Sequence, residues 1–322
     1  MAIELSYERF NNGDDIVPWY STEEVILNTG DAKTLEGNDK ITGVGPGRRP
    51  SIYDSGIINR GTIEMGLGDD IITGTYDDTE YSLHNANYAR LRPNNGRSPY
   101  RDNRGNFYYY PDDSIPLPVN NYGIYNSGTI DTGMGDDTIT GSNTSNRGNG
   151  IGFITLDSQD NIAIYNPDNI GIANGGTINT DDGNDSIISQ GKFINSGNVF
   201  LGEDDDTITS YGVIYNSGKI ETGRGDDSII ADTFYAGFDG LGSVSLEDGN
   251  DYVRGFGNGN FNGGQGVDTL ELTSGGSYTV GISGTAVSFT MGNTVMNTSD
   301  FEIFIAGGTR YDFTELFNGQ TI

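Results

Sequence analysis

The sequence predicts an all-β chain wound as a right-handed parallel β-solenoid of 21-residue coils, with an N-terminal cap and a C-terminal β module. Three observations predict it: a recurring glycine–aspartate turn, an asparagine turn held at a fixed distance ahead of it, and columns of β-branched residues between the two. The composition agrees. Of 322 residues, 50 are glycine and only 34% are apolar, which suits a narrow, elongated core.

The glycine–aspartate turn reads Gly66-Leu67-Gly68-Asp69-Asp70-Ile71-Ile72, Gly133-Met134-Gly135-Asp136-Asp137-Thr138-Ile139 and Gly223-Arg224-Gly225-Asp226-Asp227-Ser228-Ile229. Looser copies end in Asp39, Asp185, Asp206 and Asp251, with Gly183, Gly202 and Gly249 among their glycines. The asparagine turn, Asn-x-Gly-x-Ile, precedes the last Asp by 11 residues in six copies, beginning at Asn28, Asn59, Asn126, Asn174, Asn195 and Asn216. Asp185, Asp206 and Asp227 are 21 residues apart, and longer gaps read as 21 plus insertions. Around residues 52–63 the register is open, because Tyr53-Asp54-Ser55-Gly56 also resembles Tyr215-Asn216-Ser217-Gly218.

Each column follows one place in the coil. Two residues before the Asn stand Ile26, Ile57, Ile124, Ile172, Phe193 and Ile214. Four after it stand Ala32, Ile63, Ile130, Ile178, Val199 and Ile220. Two after the final Asp stand Ile41, Ile72, Ile139, Ile187, Ile208, Ile229 and Val253. Stacked at about 4.8 Å, they form one continuous core. Asparagine tolerates turn geometry and stacks into hydrogen-bonded ladders, so its column marks a corner.

The net charge of −29 excludes a generic nucleic-acid binder, which needs clustered Lys and Arg. Without cysteine there is no disulfide framework and no thiolate metal site. No run approaches the roughly 20 apolar residues of a membrane span. The N-terminus shows no basic and apolar leader, so export without an N-terminal signal peptide is expected.

The aspartate turns carry the chemistry. Calcium takes six to eight oxygens from carboxylates and backbone carbonyls. Glycine turns curl carbonyls inward, and stacking brings the aspartates into one file that a divalent cation neutralises. The expected ligands are Asp39, Asp70, Asp137, Asp185, Asp206, Asp227, Asp251 and Asp268, with the turn glycines Gly66, Gly68, Gly133, Gly135, Gly183, Gly202, Gly223, Gly225, Gly249, Gly264 and Gly266. The doubled acids, as in Asp69-Asp70, favour a cation over a plain polar turn.

Gly263-Gly264-Gln265-Gly266-Val267-Asp268-Thr269-Leu270-Glu271 resembles the RTX (repeats-in-toxin) nonapeptide at every defined position. That resemblance implies several bound Ca2+ ions, folding outside the cell, and one ion line here, because most coils carry one such turn. Residues 269–322 resemble the module that follows RTX repeats, which implies short antiparallel strands and a type I secretion signal. The expected organisation is a cap over 1–27, a solenoid over 28–255 with insertions at 75–121 and 142–168, and a C-terminal module over 256–322.

The functional expectation is an extracellular structural protein of the cell surface (a sheath, coat or filament subunit) that self-associates. A carbohydrate-binding adhesin using the Tyr- and Arg-rich insertion at 75–121 is the alternative, with extracellular polysaccharide as partner. A polysaccharide lyase or epimerase is a further alternative. No catalytic motif is present, and the single histidine, His84, lies in that insertion, so no enzyme is expected.

Overall fold

The computed structural model describes residues 2–8, 10–18, 25–46, 55–77, 100–101, 107–108, 122–143, 153–156, 162–165, 169–231, 237–273 and 277–322. The chain winds as a three-faced parallel β-solenoid. In a full coil the first strand ends at the asparagine corner, a second strand leads to the glycine–aspartate turn, and a third strand leaves it. Lys192–Asn195, Asn198–Glu203 and Thr207–Ser210 form one such coil. Like strands stack in register, so each face is a sheet: Asn28 pairs with Asn59, Asn59 with Asn126, and Asn126 with Asn174. The register around 52–63 is thereby settled at Asn59.

The three apolar columns point inward and are buried throughout. Alternation drives this, since every second residue of a strand faces the same side. Thr207–Ser210, for instance, buries Ile208 and Ser210 and leaves Thr207 and Thr209 partly exposed. No coil has a second layer to cover its own apolar residues, so each is buried by the coils above and below.

The rungs extend to both sides of 28–255. Ala2–Glu4 pairs in parallel with Val25–Leu27, and Ile16–Val17 with Lys40–Ile41, so residues near the N-terminus already trace part of a coil. In the C-terminal region, where short antiparallel strands are expected, Thr269–Leu272, Thr294–Ser299 and Ile303–Ala306 continue the parallel faces. Antiparallel pairing forms the hairpins added beside them, Thr279–Ser283 with Ala286–Met291, that strand with Thr294–Ser299, and Ile303–Ala306 with Thr309–Asp312, and joins Thr279 to Thr321. The reason is packing: Phe304 occupies the inward column after Leu270, and its ring stacks on Phe289 at 4.6 Å, so aromatic side chains fill the end of the core.

Between Val25 and Val253 the extra residues enter between the third strand of one coil and the first of the next. Residues 78–121 fall between Ile71–Asp77 and Tyr122–Asn126, and residues 144–169 between Thr138–Asn143 and Ile170–Asn174. Within these stretches Tyr100–Arg101 pairs with Phe107–Tyr108 and Phe153–Leu156 with Ile162–Tyr165, both antiparallel. Most of the Tyr/Arg-rich segment, His84 included, lies outside the described residues. No helix among the described residues is long and apolar enough to cross a membrane.

Candidate metal centre

The glycine–aspartate turns stack so closely that they define the site. Gly66 and Gly68 both adopt positive φ, 97° and 132°, and so do Gly133 and Gly135 in the next coil, at 87° and 142°. Only glycine does this without strain. It also admits close approach: a Cβ on Gly135 would lie 2.0 Å from the Gly68 carbonyl oxygen, and one on Gly225 1.9 Å from that of Asp204. Carbonyl oxygens therefore stack along the turn, each over the next coil's glycine. Asp181, Asp204 and Glu247 hold positive φ without being glycine, at about 1 kcal/mol or more each.

The final aspartate of each turn points into the prism. Asp39, Asp70, Asp137, Asp185, Asp206, Asp227, Asp251 and Asp268 are each at most 2% exposed and form one file. One oxygen of each is engaged. The Asp185 backbone N–H donates to Asp206 Oδ1 at 2.8 Å, Asp206 to Asp227 at 2.8 Å, Asp227 to Asp251 at 2.8 Å, and Asp251 to Asp268 at 2.9 Å. The same bond recurs from Asp39 through Asp137. The other oxygen, Oδ2, is buried and without a hydrogen-bond partner in all eight.

Eight half-satisfied carboxylates in one buried file are electrostatically costly. Burial, reinforced by the neighbouring carboxylates of the file, pushes Asp206 and Asp251 up to about 8. Burial raises Asp70 and Asp137 to about 7 and Asp185, Asp227 and Asp268 to about 6. Asp39 is raised by the same cause. Thr180 and Thr222 hydroxyls oppose burial at Asp185 and Asp227. Leu201 and Leu246 occupy that place, five residues earlier, before Asp206 and Asp251. This buried threonine column is a part of the site that reading the repeat missed, and the five-residue offset is the signal that locates it.

The doubled acids do not converge. The first of each pair is exposed and belongs to a separate outer file of Asn38, Asp69, Asp136, Asn184, Asp205, Asp226 and Asn250. Its ladder runs the opposite way: Asp226 N–H donates to Asp205 Oδ1 and Asn250 N–H to Asp226 Oδ1, both at 2.7 Å. Stacking separates the two neighbours because successive residues point to opposite sides of the chain. Among the described residues no three His, Cys, Asp or Glu side chains gather at one point as a metal cluster. What each coil offers is one orphaned carboxylate oxygen and a run of turn carbonyls. This donor set suits a hard oxygen-seeking cation such as Ca2+ and not a soft or imidazole-seeking one.

The asparagine corner is built differently. Asn126 Nδ2 donates to Asn174 Oδ1 at 2.8 Å and to the Thr177 carbonyl at 2.9 Å, and Asn174, Asn195 and their equivalents repeat the pattern. It holds no charge, and its amides satisfy one another along the stack.

No protein-family model and no curated protein matches the sequence. Among solved structures the chain is similar to a hyperactive, Ca2+-dependent, β-helical antifreeze protein from an Antarctic bacterium, at 16% identity over 96% of each chain. The TM-score of 0.32 makes that likeness too distant to bear on this chain's fold or function.

Proposed function

We propose that the chain is a calcium-loaded structural solenoid that works outside the cell, where it folds on binding Ca2+ and assembles into a surface layer or filament, without catalytic activity. One observation carries the reading: eight buried aspartates each present one oxygen that no protein group satisfies. Bound calcium supplies the missing partner and neutralises the file, so binding energy becomes folding energy. Asp39, Asp70, Asp137, Asp185, Asp206, Asp227, Asp251 and Asp268 would hold the ions through Oδ2, with carbonyls of the Gly-x-Gly turns completing the oxygen shell. Modules working at extracellular calcium bind at roughly 10⁻⁴–10⁻³ M, which leaves such sites empty in a calcium-poor cytosol. The resemblance of Gly263–Glu271 to the RTX nonapeptide supports the same assignment, and so does the export route it implies.

Circular dichroism of the chain in EGTA at pH 8 and after calcium addition tests the metal. The expected result is β signal that appears on calcium addition, with about one ion bound per orphaned oxygen by equilibrium dialysis. Equal β content in both conditions, with no ion retained, would overturn it. Negative-stain microscopy of the calcium-loaded protein tests assembly: ordered sheets or filaments are expected, and dispersed particles at all concentrations would reject the structural role.

A further inference from the structure

Ten acidic residues in succession, from Asp15 to Glu302, give or receive the backbone bond that defines the inner file, so the pattern does not stop at the last glycine–aspartate turn. Asn262 pairs with Ser299 and Thr269 with Ile303, so the stretch from Ser299 to Ile303 is the next rung's version of the turn. It is three residues shorter and lacks the Gly-x-Gly loop. At its end stands Glu302, whose side chain is one methylene longer than aspartate. From an exposed position it takes over the hydrogen bond an aspartate would make: the Asp268 backbone N–H donates to Glu302 Oε2 at 2.8 Å, as each earlier Asp does to its successor.

The site there is incomplete. Asp268 is fully buried, and its Oδ2 has no partner. That oxygen faces the bare Cα of Gly263, where a Cβ would lie 2.6 Å from it and 1.9 Å from the Asp300 carbonyl oxygen. Asp300 holds φ at 56°, a left-handed turn that sets the direction of that carbonyl, and its side chain is engaged separately by Asn262. The opposite end of the file needs no ion. Asp15 there has both oxygens satisfied, by the Asn11 N–H at 2.9 Å and the Asn11 side-chain amide at 2.6 Å.

We propose that the file's last divalent cation, the one at Asp268 Oδ2, is also held by the Asp300 carbonyl and Glu302, and that its binding latches the C-terminal β module onto the last coil. This rests on the calcium reading of the file but adds ligands outside any glycine–aspartate turn. Glu302 sits between Phe301 and Phe304, which lie in the aromatic cluster with Phe289 and Phe313. Drawing Glu302 to the ion therefore seats the rings that close the core. Unneutralised, Glu302 faces Asp268 as a like charge at the module's joint.

The test compares full-length wild type with Glu302→Gln, which keeps an acceptor for the Asp268 N–H and removes only the charge. Calcium stoichiometry and hydrogen exchange over 294–306 and 186–231 are measured in calcium and in EGTA. Glu302→Gln should bind one ion fewer and exchange at least tenfold faster over 294–306 in calcium, with 186–231 protected as in wild type. Asp300→Asn, which leaves the carbonyl in place, should behave as wild type. If Glu302→Gln retains the wild-type ion count and protection, the latch is refuted while the file stands. If wild type itself binds no calcium and gains no protection over 186–231, the calcium reading fails and the latch with it.

Discussion

Two corners of the same prism carry buried polar ladders, and they differ in one respect. At the asparagine corner each rung after Asn28 both gives and receives: Asn195 Nδ2 donates to Asn216 Oδ1 at 2.9 Å, and its own Oδ1 accepts from Asn174. At the aspartate corner every rung only accepts, through Oδ1, and leaves Oδ2 unpaired. An amide has a donor and an acceptor, so a stack of amides closes on itself; a carboxylate has acceptors alone, so a stack of carboxylates needs protons or cations from elsewhere. The first corner is self-sufficient and the second is conditional. Both fix the coil length between them, which is why the 11-residue offset holds in six coils and the extra residues between Val25 and Val253 enter at the third corner, where no ladder runs.

The widest separation between the corners should appear on titrating the ion-free chain. In the folded chain burial raises Asp39 and pushes the other seven file carboxyls up to between about 6 and 8. In the unfolded chain they titrate near 3.9. Between those values the folded state holds more protons, so their contribution is fully present below about pH 4, falls progressively above it, and is gone once pH has risen through the folded values of about 6 to 8. In EGTA the melting temperature should therefore fall steeply across that window, and saturating calcium should flatten or reverse the trend. A melting temperature independent of pH in EGTA would mean the file does not titrate as a buried group.

Breaking the self-sufficient corner should cost the same with or without calcium. Asn195→Ala strips bonds from Asn174, Asn216 and the Lys219 carbonyl together, a loss of roughly 3–5 kcal/mol. Denaturant midpoints in calcium at pH 7.5 and in EGTA at pH 5 should drop by similar amounts. A loss seen only in calcium would tie the asparagines to the metal.

Converting one corner into the other should reverse sign with the ion. Asp206→Asn keeps an acceptor for the Asp185 N–H and replaces the orphaned oxygen by a neutral amide. In EGTA at pH 8, where the ion-free chain is largely unfolded, it should shift the equilibrium toward the folded state by about 1–2 kcal/mol, because one buried charge disappears between Asp185 and Asp227. In calcium it should destabilise by about 2 kcal/mol and remove one bound ion. Destabilisation of equal size in both conditions would mean that Asp206 serves as a turn residue alone.

The difference between the corners also marks what was legible in the sequence. The inward columns, from Ile26 through Ile229, were legible because alternation and a fixed offset leave one register. The eight aspartates were legible because each closes the same turn. Asp69 and Asp70 read as a pair, yet the first faces solvent and the second the core, since adjacency in sequence is opposition in an extended chain. Glu302 was hidden for another reason: its rung lacks the glycines, and its place in the file follows from pairing of Ser299 with Asn262 and not from spacing.

The finest test concerns the threonine column beside the file. Thr222 Oγ1 donates to the Leu246 carbonyl at 2.9 Å, and Thr180 to that of Leu201 at 2.9 Å. Thr222→Val preserves shape and loses this bond, at about 1 kcal/mol. It also removes a polar group beside Asp227 that acts against the burial raising that carboxyl to about 6. The Asp227 carboxyl should then titrate higher, which carbon-detected NMR of the ion-free protein reads directly at that residue. An unmoved Asp227 together with the stability loss would confine the threonine to joining coils. A raised one would show that the chain sets the charge of its file rung by rung, through the residue five places upstream.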